Sequence, residues 1–129
     1  MINKDDLLFD VRARVKIANL CKDKRFENIQ MLFDCSEEER IKNILIMLKI
    51  LSNSAECAKR KAQGLEVNVN ADYNAVPITL DDMYDMKVYE IGELENLIVE
   101  VISRDSERTV EAKDKKGKKK EAKSSMRRG

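Results

Sequence analysis

The stretch SEEERIKNILIMLKILSNSAECAKRKAQG, Ser36 to Gly64, decides the fold. Ser36 followed three residues later by Glu39 is a capping box, in which each side chain accepts the other residue's free N–H. Glu37 to Glu39 suit the positive end of a helix dipole, and Lys59, Arg60 and Lys61 suit the negative end. Gly64 stands where a left-handed C-cap is needed. Between these signals Ile41, Ile44, Leu45, Leu48, Leu51, Ala55, Ala58 and Ala62 form one apolar stripe. Ile46, Met47 and Ile50 lie off it, so the middle of the helix is apolar nearly all round and should be covered on more than one side. The reading is a long central helix over about residues 37–62.

Working outward, the N-terminal segment DDLLFDVRARVKIANLC has Leu7, Leu8, Val11, Val15 and Ala18 at helical spacing, with Asp10 as a cap for a helix from Val11. Cys21 to Arg25 reads as a turn, and FENIQMLFD as a short helix. On the other side, LEVNVNADYNAVP alternates too briefly to make a sheet and reads as a long loop, with a short strand as the alternative over 65–77. Thr79 and Asp82 form a second capping box before a short helix, LDDMYDM. A final amphipathic helix over about 89–108 carries Ile91, Leu94, Leu97, Ile98, Val101 and Ile102 on one face. Glu100 and Arg104 are spaced as an i,i+4 ion pair. The expected fold is all-α: a helical domain of four to five helices over 1–110 and a disordered Lys-rich tail over 111–129.

Composition narrows function. The chain has 129 residues, 38% of them charged, with no His and no Trp. Residues 111–129 hold nine Lys/Arg against three Asp/Glu, a net of +6, and the remainder is therefore at −5. An acidic domain lacks the basic face that a duplex reader needs, and the tail has no aromatic residue for base stacking. Nonspecific nucleic-acid binding by the tail is the alternative function. Without His, and with its four Gly isolated from one another, the chain offers neither the usual acid–base group nor a phosphate loop. Asp82 and Asp85 share a helix face, but no further ligand accompanies them. Cys21, Cys35 and Cys57 are too widely spaced for a zinc site and read as reduced thiols. No catalytic, cofactor-binding or metal-ligating residue is assigned, and an enzyme is not expected. The longest apolar run, Ile44 to Leu51, is far short of the ~20 residues of a membrane helix, so no membrane partner is expected and the location is expected to be cytoplasmic.

The order of these features resembles a known family. "LLFDVRARVKI", then "RIKNILIMLKILSNSAE", then a loop, then "ITLDDMYDMKVYEIGELENLIVEVISRDSERTVEA" and a Lys-rich end look like the tail assembly chaperones of long-tailed bacteriophages and prophages. The matching positions are Leu8, Phe9, Asp10, Ala13 and Ile17, then Ile44 to Asn53 with Ser54 and Ala55, then Ile78 through Ile102. Arg12, Arg14 and Lys16, and the lack of Gly before Ser36, depart from the family pattern. The resemblance implies a small helical protein of the bacterial host cytoplasm, absent from the mature virion. It would bind the tape-measure protein and help recruit tail-tube protein. It also implies a longer product made by ribosomal frameshifting, and the adenine-rich codons of Lys118 to Lys120 would suit such a site. Self-association is expected as well, because so small a domain has little with which to cover every face of its central helix. The candidate partner-binding residues are Ile46, Met47, Ile50, Met83, Ile91 and Leu94; ordinary core packing is the competing reading for each.

Overall fold

The computed structural model describes residues 2–107. Four α-helices follow one another: α1 Val11–Ala18, α2 Glu37–Ala62, α3 Leu80–Tyr84 and α4 Val88–Ser106. Three short 3-10 segments, Lys4–Asp6, Lys22–Lys24 and Phe26–Leu32, complete the regular structure. The described residues contain no strand, so 65–77 is a loop. The expected tail over 111–129 and the boundary at 110 lie outside the described residues.

The ends of α2 follow from its sequence. Ser36 Oγ accepts the Glu39 N–H at 3.2 Å, although Glu39 makes no return bond to Ser36 among the described residues. At the other end Gly64 has φ +81°, and the Leu65 and Gly64 N–H groups close on the Arg60 and Lys61 carbonyls, each at 3.0 Å. That is a complete Schellman motif. Between the caps, Leu51 to Ala55 are buried without interruption. Five consecutive buried residues go right round a helix of 3.6 residues per turn, so every face of α2 is covered there. Toward its C-terminus the stripe differs from the sequence reading, since Ala58 and Ala62 are exposed and Cys57 is buried. Small alanines lose little by facing water once the cover on that side has ended.

One cover is the N-terminal segment. Leu7 and Phe9 are buried and Leu8 is half-buried, so the chain here is an extended strap with period-two burial rather than the start of a helix. The Leu8 N–H donates to the Leu51 carbonyl at 3.1 Å. Asp105 Oδ2 accepts the Phe9 N–H at 2.8 Å, and Arg104 donates to the Lys4 and Leu7 carbonyls at 3.1 and 2.9 Å. Arg104 is therefore paired with Asp105 rather than with Glu100, which faces Lys4 instead at 3.7 Å. The Lys4 and Leu7 carbonyls are acceptors that a guanidinium, which carries several N–H donors, can bind together with the Asp105 carboxylate.

Asp10 caps α1 through the Ala13 N–H at 3.0 Å. The buried face of α1 is Ala13 and Ile17, in line with Phe9, while Val11 and Val15 are 77% and 53% exposed. The expected stripe was thus the wrong one of two rows. Both have i,i+4 spacing, and the strap orients Phe9, not Leu8, toward the core. Phe9 also packs on Phe26, with ring centroids 5.3 Å apart, and Arg14 stacks on the outer side of Phe26 at 4.3 Å. FENIQMLFD is helical but of the 3-10 kind, kinked at Asn28.

The second cover is the loop, held by one polar side chain of the band. Asn53 is 3% exposed. Its Nδ2 donates to the Ala71 carbonyl at 2.6 Å and its Oδ1 accepts the Tyr73 N–H at 2.8 Å. Arg60 stacks on the Tyr73 ring at 3.9 Å, and Lys49 reaches Asn74 at 3.4 Å. The third cover is the α3–α4 unit. Thr79 and Asp82 form their full capping box, and α4 buries Ile91, Leu94, Ile98 and Val101. Arg40 of α2 binds Glu95 of α4 by two N–H groups.

Two outcomes test this architecture. Asn53→Ala should cost about 2 kcal/mol in urea unfolding, since it strands the Ala71 and Tyr73 backbone groups, and should speed amide exchange at Tyr73. The Arg104 hydrogen bonds, assisted by the Phe9 N–H against the cost of burial, hold the Asp105 carboxyl below the usual carboxylate range. Its stabilisation is therefore present above the unfolded value of about 3.9 and lost as pH falls through the lower folded value. Asp105→Asn should melt lower than the parent chain at neutral pH, and the gap should begin to narrow as pH falls below about 4.

Candidate partner-binding grooves

Four of the six residues singled out from the sequence belong to the core. Met47, Met83, Ile91 and Leu94 are 0%, 1%, 8% and 3% exposed. Their side chains fill the space between α2, α3 and α4, which is why off-stripe Met47 disappears from the surface. Ile46 is 39% exposed and Ile50 half-buried, so these two of the six reach solvent directly.

Ile46 and Ile50 share a shallow groove of about 290 Å³ with Lys16 of α1, Lys49 and Asn53 of α2, and Asp72 of the loop. The floor is apolar, and two of the three charged residues around it are lysines. Each wall has a local cause. Lys16 is next to Ile17, which anchors α1 in the core. Asp72 is placed by Asn53, whose bonds to residues 71 and 73 flank it.

Leu94 lines the floor of two further hollows that meet at Ile2. One, of about 470 Å³, lies between α2 and the loop and includes Ala55, Val76, Pro77, Ile78 and Met86, with Asp6, Glu56 and Lys59 at its edge. The other, of about 260 Å³, runs along α4 over Leu94, Leu97 and Asn96, with Glu93 and Glu100 as its charged residues. This second groove has the opposite charge character from the Ile46/Ile50 groove. Ile2, Val76, Ile78, Met86 and Leu97 were not among the candidate partner-binding residues. Val76 and Ile78 flank the lone Pro of an irregular segment, where no periodicity marks an inward face.

The remaining chemistry is sparse. Among the described residues, no group of three or more His, Cys, Asp or Glu is placed to hold a metal. All three cysteines are free, Cys21 and Cys57 buried and Cys35 exposed. Burial pushes the Cys21 thiol above its ordinary value, which keeps it protonated and unreactive. No helix among the described residues is long and apolar enough to cross a membrane. What the surface offers is apolar-floored grooves with charged edges, suited to side chains of another helix or of an extended segment.

The two kinds of isoleucine and methionine neighbours separate by mutation. Met47→Ala should cost about 3 kcal/mol in chemical denaturation, as a cavity in the core. Ile46→Ala, one residue away, should stay within about 0.5 kcal/mol of the parent.

Comparison with known proteins returns no matching family model, no matching curated sequence and no matching solved structure.

Proposed function

We propose that this chain is a tail assembly chaperone of a long-tailed bacteriophage or prophage, which keeps the tape-measure protein soluble and helps bring tail-tube subunits to it. The reading rests on the sequence pattern, and the observation that carries it to a surface is the Ile46/Ile50 groove. Those two isoleucines belong to the segment Ile44 to Asn53, one of the blocks that carry the resemblance, and they stay accessible between Lys16 and Lys49. A tape measure is a long helical chain that must be held at many points without being gripped at any one. A shallow apolar floor of two residues makes each contact weak, and many copies along the length make the sum strong. The function requires no catalytic group, cofactor or metal. The place of action is the host cytoplasm during assembly, and the finished virion lacks the protein.

Co-expression with a cognate tape-measure protein tests this. The tape measure should move from the insoluble to the soluble fraction and co-elute with this chain on gel filtration. Ile46→Asp with Ile50→Asp should abolish both effects while the variant itself remains folded. Unchanged solubility with the parent chain, and no joint peak, would sink the proposal.

A further inference from the structure

The groove along α4 points to an occupant within the same chain. Glu93 and Glu100 border it, seven residues apart on one side of α4. Glu93 has no ion-pair partner among the described residues, and Glu100 meets only Lys4, at 3.7 Å with both side chains more than half exposed. The groove's floor is Ile2, Leu94 and Leu97. A ligand for it needs methylene surface for the floor and a cation for each glutamate, which neighbouring lysine side chains supply.

We infer that this groove is the docking site for the chain's own Lys-rich segment, residues 113–120. The segment holds Lys113, Lys115, Lys116, Lys118, Lys119 and Lys120 with a single acidic residue, Asp114. It begins six residues beyond Glu107, where α4 ends in extended backbone, φ −75° and ψ 132°. Extended chain covers about 3.3 Å per residue. Residues 108–120 therefore reach about 40 Å, while the distance from Glu107 back to Glu93 along a helix is about 21 Å. The Ile46/Ile50 groove is not the acceptor, because Lys16 and Lys49 at its edge repel the same segment. Ile2 and Leu97 offer apolar surface to lysine stems, and Glu93 and Glu100 offer acceptors to ammonium groups. The contact is electrostatic, so salt releases it, and it is intramolecular, so dilution does not. It is independent of what the Ile46/Ile50 groove binds.

Amide NMR spectra of the full chain provide the test. The comparison is with a full-length variant carrying Lys118→Glu, Lys119→Glu and Lys120→Glu. At low salt the Glu93, Leu97 and Glu100 amides should shift between the two proteins. The difference should vanish near 1 M salt, where the screening length is about 3 Å, and should not change on dilution. In a Glu93→Gln, Glu100→Gln background the lysine substitutions should no longer move these amides. Absence of the low-salt shifts overturns the inference. So does their persistence in the Gln background, which would place the segment elsewhere. A difference that fades on dilution overturns it too, because it would assign the contact to a second copy.

Discussion

The burial of Leu51 to Ala55 around the whole circumference of α2 is the constraint on which the other elements depend. A helix can be covered on one side by a single neighbour, but a band buried all round needs several. Here they are the strap, the loop and the α3–α4 unit. Of these, the strap and α4 also meet each other directly, through Arg104 and Asp105. The band also holds polar residues, of which Ser52 and Asn53 are hydrogen-bonded and the Ser54 hydroxyl is not. Ser52 and Ser54 are small enough to let backbone approach closely, and Ser52 returns its hydroxyl to the Lys49 carbonyl at 3.1 Å. Asn53 is the exception in size, and it has work that an apolar residue could not do. The loop has no ladder or helix to satisfy its backbone, so a side-chain amide acts as its hydrogen-bonding partner.

The strap solves a related problem with charge. Its backbone groups at Lys4, Leu7 and Phe9 meet Arg104 and Asp105, which are themselves paired. A donor-only guanidinium and an acceptor-only carboxylate side by side match the alternating carbonyl and N–H groups of an extended chain. The charge balance across the surface is equally sorted. The Ile46/Ile50 groove is edged mainly by lysines, and the α4 groove by glutamates. Two grooves of opposite character on one small domain can hold different ligands at the same time.

Much of the architecture was legible in the sequence because it is written in local signals. Both long helices begin and end within one or two residues of their expected bounds, and the buried face of α4 follows its periodicity. The tertiary contacts were less legible. In α1 two apolar rows have equal spacing, and only the strap's direction, set a hundred residues away by Arg104 and Asp105, selects Ala13 and Ile17 over Val11 and Val15. The same holds for the grooves. Ile46 stands out as an off-stripe isoleucine, but so does Met47, and only the packing of α3 and α4 buries one and leaves the other at the surface. The loop residues of the Leu94 hollow follow no period at all, so nothing in their spacing could single them out.

The strap has a bearing on the order in which the protein is made. Its partners Arg104 and Asp105 lie 96 to 100 residues downstream. Synthesis delivers the chain N-terminus first at about 5–20 residues per second, so the Leu7 carbonyl and the Phe9 N–H wait for the last turn of α4 before they meet Arg104 and Asp105. Until then one side of the α2 band stands open. A young chain therefore presents more apolar helix surface than a finished one, and the closing of the strap marks the moment at which the molecule becomes a self-contained unit.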